Sequence, residues 1–135
     1  MSTIKDSNLS AVGKDEVNWA QRQMQVLEDI KTDFENRKPL GGLNIGACMH
    51  VTKETANLML TLQSAGANVA LCASNPLSTK DSVAAYLAEC GVEVHAIHGV
   101  SNEDFFKHLN SVLDTKPDIT MDDGCLLYTS DAADE

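Results

Sequence analysis

The spacing of apolar residues along the chain changes near residue 40. Before it, residues 17 to about 37 carry apolar side chains at helical spacing, namely Ala20, Met24, Leu27, Ile30 and Phe34. This spacing predicts one helix that ends before Pro39, in front of the turn-forming segment KPLGG. Residues 1–16 are polar and aperiodic, which predicts a frayed lead-in.

Beyond residue 40, short apolar runs alternate with longer amphipathic segments. The runs predict strands at 43–50, 68–74, 93–99 and 118–123, and the segments predict helices at 53–66, 79–91 and 102–114. Strands that alternate with helices form right-handed βαβ crossovers and a parallel sheet that is covered on both faces. The predicted fold class is therefore α/β, a three-layer, doubly wound, Rossmann-like domain with strand order 3-2-1-4, preceded by an N-terminal helix.

Composition narrows the classes of function. The 135 residues suit one domain, with 43% hydrophobic and 22% charged residues and a formal net charge of −10. This charge disfavours nucleic acids and anionic membranes as partners, because both need a basic patch. No apolar run approaches the ~18 residues of a membrane span, and the polar start MSTIKDSNLS is unlike a signal peptide. The predicted location is the cytoplasm.

The cysteines do not form a recognisable metal or redox motif. Cys48, Cys72, Cys90 and Cys125 include no C-x-x-C pair, and the first three fall in or beside apolar segments. Reduced, buried thiols are therefore expected. The alternative is a zinc site that uses His95 and His98 with a distant cysteine. It is disfavoured, because residues three apart on a strand point to opposite faces.

Polar residues gather where the predicted strands end. Ligands of doubly wound sheets bind beyond the carboxyl ends of the strands, where the strand order reverses. Strand order 3-2-1-4 places that reversal between strands one and four. His50 and Asp123 would then face one crevice, with Thr52 at the start of the adjoining helix, whereas His98 would be peripheral.

Each of these residues also has a purely structural interpretation, and Asp123 could be a polar strand end in a tight turn. Thr52 could cap the helix that follows it, and His50 could be a surface histidine. Glu54 suits the first turn of a helix without any further role. Asn75 begins a turn with Pro76, and Ser78 or Thr79 could cap the next helix.

Several nucleotide and hydrolase motifs are absent from the sequence. No G-x-G-x-x-G follows the first predicted strand, and neither a Walker motif nor a G-x-S-x-G elbow occurs. The segment HVTKET has no glycine that would let a pyrophosphate approach the backbone. A dinucleotide is therefore not expected to bind to this domain itself.

Several phrases together resemble one family. The phrases WAQRQM, KPLGGLNIGACMHVTKETANLMLTLQSAGANVAL, ASNPLSTKDSVAAYLAECGVEVHAIHG and ITMDDG are similar to the N-terminal part of the adenosylhomocysteinases, over residues 17–124. The resemblance implies reversible hydrolysis of S-adenosylhomocysteine to adenosine and homocysteine. In that chemistry bound NAD oxidises the ribose 3′-hydroxyl, so that homocysteine leaves beside a carbonyl-stabilised carbanion.

The resemblance also implies roles for particular residues. His50 and Asp123 match catalytic residues, His50 as an acid or base near the 5′ carbon and Asp123 beside the ribose. Thr52 and Glu54 match residues that bind adenosine, Glu54 through the base. The remaining cleft residues that bind substrate by resemblance are Asn75, Ser78, Thr79 and Asp123. Two departures are Lys80 in place of a common glutamine and Gln25 in place of a common proline.

Family members are much longer than this chain, and their NAD domain follows the part that is matched. The resemblance thus implies an N-terminal part, residues 17–124, of a substrate-binding domain in a homo-oligomeric, tetrameric enzyme. This part alone is expected to lack hydrolase activity and NAD binding. Residues 125–135, CLLYTSDAADE, correspond to codons of a transposase adapter used in sequencing libraries and are interpreted as artefact. The alternatives are a stand-alone, non-catalytic nucleoside-binding module and a general α/β scaffold, the latter disfavoured by HVTKET and NPLST.

Overall fold

The computed structural model describes residues 2–123 of the chain. The predicted adapter segment 125–135, including Cys125, lies outside these residues. After a short 3₁₀ turn at Ser7–Leu9, the elements follow in the order α1 (Ser10–Gln21), α2 (Gln25–Arg37), β1 (Asn44–Cys48), α3 (Lys53–Ser64), β2 (Asn68–Cys72), α4 (Asp81–Glu89), β3 (Glu93–His95), α5 (Asn102–Leu113) and β4 (Ile119–Asp122).

The N-terminal prediction was wrong in two respects. Residues 17–37 form two helices, because α1 ends in tight bonds from the Gln23 and Met24 amides to the carbonyls three residues earlier. Met24 then leaves the helical region, with φ −117° and ψ 59°. The expected lead-in is also ordered, since α1 begins at Ser10 and Thr3 pairs with His95 beside β3.

The sheet has the predicted topology. Its four strands are all parallel and lie in the order β3-β2-β1-β4, which confirms the doubly wound α/β fold. Cys48, at the end of β1, pairs with Cys72 of β2 on one side and with Asp122 of β4 on the other. The strand predicted at 93–99 is shorter, and His98 therefore lies beyond the end of β3.

Helices cover the two faces of the sheet unequally. The larger cluster of buried residues joins α1, α3 and α4 to one face, where Ala47, Leu71 and Val94 are fully buried. On the other face α5 packs Leu109 and Val112 against the sheet. The crossovers β1–α3–β2 and β2–α4–β3 therefore use one face and β3–α5–β4 the other, and this change of face reverses the strand order beside β1.

The thiols of the described residues are free, as expected for reduced cysteines. Cys48 and Cys72 are buried under α5, and Cys90 is half-buried. A hydrogen bond with Cys48 and burial raise the pKa of the Cys72 thiol. No group of three or more potential ligands that could hold a metal ion occurs in residues 2–123.

None of the helices in residues 2–123 is both long enough and apolar enough to cross a membrane.

Candidate functional site

The turn after β1 is tied to the loop after β2. The amide of the fully buried Val51 donates to the carbonyl of Ser78 at 2.8 Å, and its carbonyl accepts from the Lys80 amide at 2.9 Å. Val51 thereby pairs with Thr79 as an isolated parallel bridge. These bonds hold residues 49–52 beside residues 74–80 at the carboxyl edge of the sheet.

Thr52 occupies the N-cap of α3. Its backbone is extended, with φ −120° and ψ 170°, and its hydroxyl oxygen accepts from the Thr55 amide at 3.4 Å. The capping interpretation is therefore confirmed. The hydroxyl hydrogen makes only a long contact, 3.4 Å, with Thr55 Oγ1. A substrate contact at Thr52 stays a prediction.

His50 lies on the surface between β1 and α3. Its Nδ1 lies 3.2 Å from the hydroxyl oxygen of Ser74, which follows β2. The imidazole thus has its hydrogen-bond partner on the β2 side of β1. The sequence did not assign a role to Ser74, because sequence spacing does not report which side chains meet across two loops.

Asp123 lies at the end of β4, on the opposite side of β1. It is exposed, and its amide donates to the Cys48 carbonyl at 3.3 Å. The ends of β1 and β4 are therefore neighbours, as strand order 3-2-1-4 requires. The meeting of His50 and Asp123 in one crevice stays a prediction.

The loop at residues 74–79 is a hydrogen-bonded turn. Asn75 Oδ1 accepts from the Leu77 amide at 2.8 Å, and Ser78 Oγ accepts from the Asn75 amide at 3.2 Å. The turn interpretation of Asn75 is confirmed. A cap on α4 by Ser78 or Thr79 was wrong, since Lys80 holds that position without a side-chain bond. The buried Thr79 hydroxyl has no partner among residues 2–123.

Glu54 stands at the rim of an apolar cavity that the sequence did not predict. The carboxylate is exposed, 3.5 Å from Lys53 Nζ. The open cavity of about 600 Å³ lies between the start of α2 and the first turns of α3, and its apolar lining consists of Met24, Val26, Leu27, Ile30 and Leu58. Val26 remains 75% exposed. Helical periodicity predicts that apolar residues of α2 share one face of the helix. It does not show that this face is only partly covered by other elements.

The Lys80 and Gln25 side chains and the His98 amide make their contacts away from His50, Thr52 and Asp123. Lys80 Nζ is 3.7 Å from the Glu16 carboxylate on α1. The side-chain Nε2 of Gln25 donates to Asp29 Oδ1 at 3.5 Å on the surface of α2. The His98 amide donates to Asp81 at the start of α4. Since β3 and β4 are opposite edges of the sheet, His98 lies on the side remote from Asp123, as predicted.

The sequence of the chain is similar to those of proteins of one family. The sequence model of the family described as S-adenosyl-L-homocysteine hydrolase matches residues 1–130. Curated adenosylhomocysteinases are similar over nearly the same range. That of Thermococcus kodakarensis is 47% identical over 90% of this chain and 29% of its own length.

Two further relatives give the same result. The adenosylhomocysteinase of Saccharolobus solfataricus is 48% identical over 93% of this chain and 30% of its own length. That of Aquifex aeolicus is 47% identical over 94% of this chain and 31% of its own length. The chain thus spans about 30% of the length of the curated relatives it matches.

Proposed function

The chain belongs to the S-adenosyl-L-homocysteine hydrolase family, and on that premise we propose that it is the N-terminal, substrate-binding part of an adenosylhomocysteinase. The proposed reaction is the reversible hydrolysis of S-adenosylhomocysteine to adenosine and homocysteine. The observation that carries the proposal is identity of 47–48% to adenosylhomocysteinases over at least nine-tenths of this chain. We place this activity in a cytoplasmic, tetrameric protein.

The described residues do not fit NAD, the family's cofactor. A dinucleotide needs a glycine-rich turn at a helix N-terminus. Here the turn between β1 and α3 has no glycine, and the Thr55 amide is already capped by Thr52. We therefore assign NAD to parts of a family-length protein other than residues 2–123.

The proposed work of this chain is to bind and orient the nucleoside and to move protons. Glu54, exposed beside the apolar cavity, would accept a hydrogen bond from the adenine amino group. A ribose hydroxyl would replace the long Thr52–Thr55 hydroxyl contact. His50 would exchange a proton near the 5′ carbon, and Asp123 would act beside the ribose. Asn75, Ser78 and Thr79 would shape the adjoining wall, with the Asn75 and Ser78 side chains held by their own turn.

A chimaera tests this proposal. Residues 2–123 replace the aligned segment of the Thermococcus kodakarensis relative, and release of the homocysteine thiol from S-adenosylhomocysteine is measured. We expect turnover within about tenfold of the unmodified relative, since the chains are 47% identical in this region. A folded, NAD-binding chimaera without hydrolysis would contradict the proposal. If it bound adenosine but did not turn over, the non-catalytic nucleoside-binding alternative would replace it.

Two histidine variants of the chimaera separate catalysis from folding. His50→Asn should lower kcat by ~10²-fold or more, the usual scale for a positioned acid or base. His98→Asn is the matched control, because His98 is also exposed but lies beyond β3. It should leave kcat unchanged. Normal turnover of the His50 variant would exclude His50 as the proton-transfer group.

A further inference from the structure

A series of hydrogen bonds runs from His50 into the turn after β2. His50 Nδ1 is 3.2 Å from Ser74 Oγ, which is 3.5 Å from Ser78 Oγ. Ser78 Oγ is in turn 3.0 Å from the carbonyl oxygen of Asn75 and accepts from the Asn75 amide at 3.2 Å. The series therefore ends on backbone atoms whose hydrogen-bonding roles are fixed.

These fixed roles determine which hydrogen atoms remain for the other contacts. A carbonyl oxygen can only accept, so the 3.0 Å contact uses the single hydroxyl hydrogen of Ser78. The same carbonyl accepts from the Ser78 amide at 3.3 Å, within the two-lone-pair capacity of a carbonyl. Ser78 has no hydrogen left for Ser74, and the contact between the two hydroxyls is a bond only if Ser74 donates.

The same assignment of hydrogen atoms applies to the bond between Ser74 and His50. Once the hydroxyl hydrogen of Ser74 points to Ser78, Ser74 Oγ has only lone pairs to offer to the imidazole. His50 Nδ1 must then carry the hydrogen of the 3.2 Å bond. In a neutral imidazole this leaves the lone pair on Nε2, which makes no hydrogen bond within residues 2–123.

We propose that Ser74 is a positioning residue that fixes His50 as the Nδ1–H tautomer and leaves Nε2 as its proton-accepting atom. Ser78 and the Asn75 carbonyl orient Ser74. These two cleft residues would therefore influence the reaction through His50 as well as by shaping the wall of the cleft. The tautomer is inferred from these contacts, with the Ser74 hydrogen given to Ser78. Its use in proton transfer rests on the proposed function.

The tautomer is measured first, on the chain as it exists. Long-range ¹H–¹⁵N correlation of the imidazole at pH 8.5, above the ordinary titration range of histidine, distinguishes Nδ1–H from Nε2–H. Loss of signals in His50→Asn identifies His50 among the four histidines. We expect mainly Nδ1–H in the unaltered chain, a clear loss of it in Ser74→Ala, and its recovery in Ser74→Thr, which keeps the hydroxyl.

Ser111→Ala is the matched control. This serine also makes a hydroxyl hydrogen bond, to the Lys107 carbonyl at 2.9 Å, but it lies on α5. It should leave the His50 spectrum unchanged. A majority of Nε2–H in the unaltered chain, or Nδ1–H that persists in Ser74→Ala, would overturn the proposal whatever the function.

Kinetics of the chimaera then test the consequence for proton transfer. Ser74→Ala should lower kcat about fivefold, the scale of one neutral hydrogen bond, with KM nearly unchanged. Ser74→Thr should restore kcat. A rise in KM alone would assign Ser74 to substrate binding and overturn the positioning role, whereas an inactive unmodified chimaera would refute the proposed function and leave the tautomer result standing.

Discussion

Gly13→Ala tests the unexpected packing of α1. Gly13 is buried where α1 crosses α4. A Cβ atom at this position would lie 1.9 Å from the Ser82 carbonyl oxygen, 2.6 Å from its carbon and 3.0 Å from Tyr86 Cβ. The two nearest atoms belong to helix backbone, which cannot move aside as a flexible side chain would.

The expected cost follows from this overlap. Restoring an ordinary contact of 3.4 Å requires the helices to separate by about 1.5 Å. Overpacking of this kind costs typically 1–3 kcal/mol, here toward the upper end because the atoms are backbone. Alanine regains about 1 kcal/mol of helix propensity over glycine. The variant should therefore be less stable by roughly 1–2 kcal/mol.

Urea unfolding of the 135-residue chain measures this difference. The single tryptophan, Trp19, lies on α1 and reports by fluorescence. Gly41→Ala is the matched control, because its added Cβ would be 3.4 Å from its nearest neighbour, the Lys38 carbonyl oxygen. The control should be as stable as the unaltered chain. A Gly13→Ala variant of equal or greater stability would refute the close approach of α1 and α4.

Three further predictions concern α3, α5 and α2. Thr52→Ala should destabilise the chain by about 1 kcal/mol in urea, since it removes an N-cap, and should weaken adenosine binding to the chimaera by a similar amount; unchanged values would exclude both contacts. Burial lowers the pKa of His108, with His95 adding to the shift and Asp104 opposing it. As the pH falls, the unfolded chain therefore binds the proton before the folded chain does, and the free energy of unfolding should decrease below about pH 6.5. His108→Leu should flatten this pH dependence. Amides of α2, which has no buried residue, should exchange hydrogen faster than those of β1 and β2; equal protection would show that α2 is fixed more firmly than its packing indicates.

The alternation of strands and helices after residue 40 predicted the fold because each element has its own period. β1 and β2 are mainly buried runs between amphipathic helices, and β4 follows α5 with two exposed and two half-buried residues. The strand order 3-2-1-4 has its reversal between β1 and β4. The start of α1 escaped prediction because Gly13, at its closest contact with α4, gives no hydrophobic signal. The break at residues 22–24 was not predicted, because the helical spacing of apolar residues continues through it. The structure shows the difference between the two helices, since α1 has buried residues and α2 has none.

For the candidate residues, only their placement at one edge of the sheet was predictable. Strand ends identify His50, Thr52 and Asp123 as neighbours of one sheet edge. They do not reveal that His50 bonds to Ser74, since that depends on how the loop after β2 folds back through Val51. Exposure of Val26 beside Glu54 likewise depends on how much of α2 packs against α3.

Adenosine titrated into the ¹⁵N-labelled chain tests the proposed site most directly. The account predicts saturable shifts of the amides at residues 50–55 and none in the second half of α5, which lies across the sheet. NAD, added in the same way, should produce no saturable shifts, because the turn after β1 lacks a dinucleotide loop. Adenosine shifts that are absent, or that centre on α5 instead of residues 50–55, would contradict a substrate site at the carboxyl edge of β1.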